Sequence, residues 1–109
     1  MNPDQIRLAL WDCITRDLHL STPSKSILLV IANYTDPRSS RANIPISLLV
    51  LKCNLQQSEL SRLLPPLEAC HWIESSRFLS DAGHRLRLYN LSPQLWQRAL
   101  RGSTGLPEP

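Results

Sequence analysis

The sequence predicts a mostly helical α+β domain: a helix-turn-helix followed by a β-hairpin, with a further helix flanking it at each end. Three observations carry that prediction. Apolar residues recur at spacings of three and four through several stretches, which is the signature of amphipathic helices. Two of these stretches meet at a tight turn around Asn54-Leu55. After Ile73 the apolar period shortens to two, the repeat of a β-strand.

Between Pro3 and about Leu18, the residues Ile6, Leu10, Trp11, Ile14 and Leu18 line one helical face. Asn2 before Pro3 supplies a cap and a first-turn proline. Ser21-Thr22-Pro23 opens a second segment that runs through Ile27-Leu28-Leu29-Val30-Ile31-Ala32 to Tyr34. Periodicity does not separate a buried helix from a buried strand there, but the start signal and a length of about a dozen residues favour helix.

Thr35 to Asn43 holds Asp36-Pro37, two serines and two arginines and reads as an exposed loop. Ile44-Pro45-Ile46 can form one edge strand. Ser47 is expected to cap a short helix, Leu48 to Cys53, with Asn54 in the left-handed position that ends it. Gln56-Gln57-Ser58-Glu59 then opens a helix whose Leu60, Leu63, Leu64 and Leu67 share one stripe. Pro65-Pro66 removes two amide donors, so this helix is expected to kink or restart there.

In the hairpin, Ile73, Ser75, Arg77 and Leu79 face one way, and Glu74, Ser76, Phe78 and Ser80 the other. Ser80-Asp81-Ala82-Gly83 is a turn signal, and His84-Arg85-Leu86-Arg87-Leu88-Tyr89 returns with alternation. Asn90-Leu91-Ser92-Pro93 caps a last helix, Gln94 to Leu100, which Gly102 is expected to end. The organisation expected is one domain over residues 1–102 and a flexible tail over 103–109.

The chain has 109 residues, 42% of them hydrophobic, which suits a single modest core. Its formal net charge of +3 permits a polyanionic partner without requiring one. The three cysteines, Cys13, Cys53 and Cys70, are odd in number and lie in apolar segments, so buried reduced thiols and a cytoplasmic setting are expected. The start of the sequence shows no signal-peptide pattern, and its longest apolar run, Ile27 to Ala32, is too short to span a bilayer. No cofactor or metal is expected. His19, His71 and His84 form no ligand spacing with the cysteines, and the three glycines stand apart, so no phosphate-cradling loop is present. No local motif places a nucleophile beside a base, and the expected class is a non-enzyme.

The stretch Ser26 to Ile73 resembles the winged-helix (helix-turn-helix) domain of phage and plasmid replication initiators and of small bacterial DNA-binding regulators. The resemblance rests on Leu28-Leu29-Val30-Ile31-Ala32-Asn33-Tyr34 before a polar loop, then Leu49-Val50 and the turn Asn54-Leu55. It closes on Leu67-Glu68-Ala69-Cys70-His71-Trp72-Ile73, with His71 where the family carries glycine. It covers a little under half of the chain. It implies a recognition helix from Gln56 and double-stranded DNA as the partner, in transcriptional control, replication or mobile-element biology. Two departures stand out: the recognition helix opens with near-neutral Gln56-Gln57-Ser58-Glu59, and Pro65-Pro66 is foreign to the pattern.

With the leucine stripe inward, Gln56, Gln57, Ser58, Ser61 and Arg62 would meet the major groove, where glutamine pairs with adenine and arginine with guanine. A solvated helix face is the plain alternative. Arg77, His84, Arg85 and Arg87 on the hairpin are candidates for phosphate contact through the guanidinium fork, though arginine on a hairpin is also ordinary solubilising chemistry. Arg38 and Arg41 in the polar loop, and Lys25 near a helix start, are further candidates for backbone contact. Trp11 and Trp96 lie in the flanking helices and would either join two copies into a dimer or close the monomer's own core. The rival function is a winged-helix adaptor that binds another protein within a nucleoprotein complex.

Overall fold

The computed structural model of the chain describes residues 2–79, 81–83 and 85–104, with 102–104 described through their backbone alone. Helix α1 spans Pro3–Asp12 and continues into a π-helical turn over Cys13–Asp17. At its start the Asn2 side chain accepts from the Gln5 amide at 2.8 Å while the Gln5 side chain accepts from the Asn2 amide at 3.0 Å, a reciprocal cap. The wider turn widens the ladder where Thr15 Oγ1 donates back to the Trp11 carbonyl at 2.8 Å. Leu10, Ile14 and Leu18 stay in the core, whereas Trp11 is 37% exposed.

Helix α2 covers Thr22–Tyr34, and Ser21 caps it through the Ser24 amide. Strand β1, Ile44–Pro45, is followed directly by α3, Ile46–Cys53. Ser47 does not cap α3, contrary to the sequence expectation: Pro45 holds that position without a side-chain bond, and the helix begins at Ile46, which packs against the core. Asn54 adopts φ 55°, ψ 41°, the left-handed conformation that stops α3. Leu55, in the turn, also packs on the core.

Helix α4 runs without a break over Gln57–Ala69, so the predicted restart at Pro65-Pro66 does not occur. The prolines deprive the Ser61 and Arg62 carbonyls of amide partners, a loss tolerated on this side of the helix because all four residues are exposed. The buried Leu64 and Leu67 on either side hold the segment against the core. The helix ends in a Schellman arrangement, with Trp72 N–H on the Leu67 carbonyl and His71 N–H on the Glu68 carbonyl, both at 3.0 Å. His71 takes φ 62°, a left-handed conformation that favours glycine, at the position where the resemblance places that residue.

Strands β2, Ile73–Leu79, and β3, Arg85–Leu91, form an antiparallel hairpin, and β1 pairs with the far side of β3. Helix α5 spans Pro93–Thr104, two residues past the expected stop at Gly102; 105–109, most of the expected tail, lie outside the described residues. Ser92 caps α5 by accepting from Leu95 N–H at 3.2 Å. The core draws Leu10 and Ile14, Ile27, Leu28 and Ile31, Leu49, Leu60, Leu64 and Leu67, Leu91 and Leu95 into one cluster. α1 packs against α5, so the two flanking helices close on each other within one chain.

Candidate nucleic-acid interface

Helix α4 is held by its leucines. Leu60, Leu64 and Leu67 are buried and Leu63 is partly buried, which turns Gln57, Ser58, Ser61 and Arg62 outward, all exposed. Gln56 sits just before the helix, and its amide donates to the Glu59 carboxylate at 3.2 Å. That bond directs the Glu59 charge back at the helix start, where the macrodipole favours an anion. The outer face is left with one cation, Arg62, among neutral hydrogen-bonding groups. No ion pair joins Arg62 to another described residue.

The hairpin is tied to α4 at its base. Ser75 Oγ donates to the Glu68 carboxylate at 3.3 Å, and α4 packs on β2. At that end Ile73, Tyr89 and Leu91 enter the core. From Ser76 to Leu79 and from Arg85 to Arg87 every side chain is exposed, so the outer half of the hairpin stands clear of the body. The register sets Arg77 opposite Arg87 and Leu79 opposite Arg85, which gathers the three arginines on one face. None of the three has an ion-pair partner among the described residues. His84 lies outside the described residues.

The polar loop is more ordered than its composition suggests. Asp36 N–H bonds the Arg41 carbonyl at 2.9 Å, Ser40 N–H returns to the Asp36 carbonyl at 2.8 Å, and the Asp36 carboxylate accepts from Arg38 N–H at 3.0 Å. Arg41 is spoken for: its guanidinium pairs with Glu74 at 2.9 Å and ties the loop to the base of the hairpin. Arg38 is exposed. Lys25 Nζ donates to the Thr15 carbonyl at 2.9 Å and so braces the π-helical turn.

Sequence reasoning missed the residue that fastens this loop. Asn90, buried on β3, accepts from the Ala42 and Asn43 amides at 2.6 and 2.9 Å and donates to the Asn43 side chain at 3.0 Å. The signal was present, since Asn90 breaks the apolar alternation of Leu86 and Leu88 on its face of the strand. Nothing local showed that its partners lie in the loop. Trp96 corrects the pairing expectation at one of its two tryptophans: it is only 8% exposed and belongs to its own chain's core. Its indole N–H has no partner among the described residues, and the ring lines a cavity of about 310 Å³ with Ser40, Arg41, Glu74 and Leu91. The Arg98 guanidinium lies 5.9 Å from the centre of the Trp72 ring, a cation–π contact between α5 and the start of β2.

All three cysteines are free thiols. Cys13 is buried, and burial, reinforced by Asp17, pushes its thiol pKa up; burial does the same to the half-buried Cys53. Cys70 departs from the sequence expectation and is exposed, because it stands at the helix end where the chain turns away from the core. Among the described residues no group of His, Cys, Asp and Glu side chains is placed to hold a metal ion. No helix among them is long and apolar enough to cross a membrane.

No protein-family model matches the chain. No curated protein matches it either. Its architecture does match solved structures. A chain described as a "possible transcriptional regulator" from Methanosarcina mazei Go1 superposes with a TM-score of 0.56 at 17% identity, over 93% of this chain and 78% of that one. A MarR-family transcriptional regulator from Silicibacter pomeroyi superposes with a TM-score of 0.54 at 23% identity, over 93% of this chain and 65% of that one. The chain has the winged-helix fold. In the terms of that fold, α3 and α4 are the helix-turn-helix, α4 stands in the place of the recognition helix, and the β2–β3 hairpin is the wing.

Proposed function

We propose that this winged-helix chain binds double-stranded DNA as a regulator, with α4 in the major groove and the wing on the phosphate backbone. The observation that carries the reading is the division of labour around the leucine stripe. Leu60, Leu64 and Leu67 lock α4 inward, its free face offers Gln57, Ser58, Ser61 and Arg62, and three arginines share one face of the attached hairpin. Gln57 and Arg62 are of the types that read base edges, and Ser58 and Ser61 of the type that reaches bases or phosphates. Arg77, Arg85 and Arg87 supply counterion release, which gives affinity without sequence preference. Arg38 adds a weaker backbone contact, whereas Arg41 contributes only if it leaves Glu74. The two solved structures named above are described as a possible transcriptional regulator and a transcriptional regulator, which supports transcription over replication or mobile-element work as the setting.

Pairing of two copies belongs to the same reading. Leu8 and Trp11 are exposed one turn apart on α1 and form the surface through which two copies would join. Light scattering of the wild type and of Trp11→Ala checks it.

Fluorescence anisotropy with a random-sequence duplex of about three helical turns tests the DNA reading. Binding is expected at about 50 mM salt and should weaken steeply toward about 200 mM. The double variant R85A/R87A should lower the slope of log affinity against log salt by about two. Absence of any duplex binding at the lower salt overturns the reading in favour of a protein adaptor, the function that the near-neutral face of α4 would then serve.

A further inference from the structure

Strand β2 lies at the edge of its sheet: the order is β1-β3-β2, so β3 pairs one side of β2 and no described strand pairs the other. At its base α4 packs on it, and Ser75 is tied to the Glu68 carboxylate. From Ser76 to Leu79 every residue is exposed, as is the Asp81-Ala82-Gly83 turn beyond. The free edge is therefore short and bounded by acids, with Glu68 beside its start and Asp81 past its end. Backbone amides and carbonyls along such an edge are open to pairing with another strand.

Between those limits the side chains alternate. Arg77 and Leu79 stand on one face, opposite Arg87 and Arg85 of β3, and Phe78 stands on the other, opposite Leu86. Phe78, Leu79 and Leu86 are 52%, 64% and 40% exposed. A lone exposed leucine needs no explanation, but three large apolar groups within a few residues of strand do. A strand laid along β2 alternates too, so it meets Arg77 with one set of its side chains and Phe78 with the other. A second copy of this edge is a poor occupant, because it sets three more arginines against the first three. Duplex DNA supplies phosphates for the arginines but no strand backbone for the open edge.

We infer that the outer edge of β2 docks an extended segment of a partner protein, one acidic residue set among apolar ones. The carboxylate lies beside Arg77, with Arg87 one strand further on. Apolar side chains lie beside Ser76 and Phe78 on one face and beside Leu79 on the other. Main-chain bonds to the edge give affinity, and the alternation gives specificity. Glu68 and Asp81 repel further acids at either end, so a run of acids fits worse than a single one. The carboxylate draws on arginines assigned above to phosphate, so partner and duplex exclude each other on the wing. That exclusion rests on the DNA reading, whereas the docking edge does not.

A capped peptide with the core Val-Val-Glu-Val-Val, flanked by serine and glycine for solubility, tests the edge in either strand direction at about 50 mM salt. In amide NMR spectra of the wild type, its titration should move the signals of Ser76 to Leu79 most, a measurement that needs no variant. The counterpart with the core Val-Val-Lys-Val-Val should bind about tenfold more weakly, and Arg77→Glu should reverse that preference. Equal affinity for the two peptides, or movement elsewhere with Ser76 to Leu79 unmoved, overturns the docking edge. Movement of the same signals on raising the protein concentration alone assigns the edge to a second copy and also overturns it. Added to the complex with a labelled random-sequence duplex, the glutamate peptide should displace the DNA. Peptide and duplex bound at once overturn the exclusion. Peptide binding with its preference intact, but no duplex binding, overturns the DNA reading and leaves the docking edge in place.

Discussion

Recognition helix and wing are neighbours built on opposite plans. In α4 every large apolar residue is turned inward, the acidic group at its start is engaged by the backbone, and the outer face is nearly neutral. In the outer wing no side chain is buried, the charge is positive and large apolar groups stand in water. A helix held by its core presents side chains in a fixed geometry, which suits discrimination between bases. A protruding hairpin with little packing of its own suits charge and shape, which supply affinity. On the DNA reading proposed above, stability and specificity would reside in the helix-turn-helix half and salt dependence in the wing.

The sharpest way to break the contrast is to open the floor beneath α4. Leu64→Ala should cost about 2–5 kcal/mol of stability in a denaturant melt, whereas alanine at Leu79 of the wing should leave the midpoint nearly unchanged. Equal losses at the two sites would show that the wing tip is packed after all. Next in size is Asn90→Leu, which deprives the part-buried Ala42 and Asn43 amides of their acceptor and should cost about 1–3 kcal/mol in all. Hydrogen exchange at those two amides reports the loss directly. Gln57→Ala and Arg62→Ala should each relax base preference by about 1–3 kcal/mol with the melting curve unmoved, and uniform weakening across sequences would remove α4 from the groove. The smallest effect has the opposite sign. His71→Gly relieves a left-handed residue and should stabilise the chain by about 0.5–1 kcal/mol in thermal unfolding.

Much of this arrangement was legible along the chain because its signals are local. A cap is decided within four residues, so Asn2, Ser21 and Ser92 could be assigned from their neighbours, and the left-handed Asn54 likewise. The leucine stripe of α4 and the alternation of the hairpin also need no distant partner. Reading failed where long-range packing outweighed a local rule. Pro65-Pro66 was expected to kink the helix or make it restart, yet Leu64 and Leu67 on either side are buried in the core and α4 continues without a restart. Ser47 is a good cap that lost its place because Ile46 packs inward. Among the candidate contact residues, composition nominated Arg41 beside Arg77, Arg85 and Arg87, and only folding brought Glu74 within reach of it.

Residue order along the chain was sufficient for the element types, most of their caps and the inward leucines of α4, since each follows from contacts a few residues apart or from strand alternation. Assembly in three dimensions settled which charges stay free, which tryptophan is buried, how Asn90 binds the loop to the wing, and where apolar groups are left uncovered. Those outcomes depend on pairs tens of residues apart, whose meeting is set by the packing of the whole core and not by any local preference.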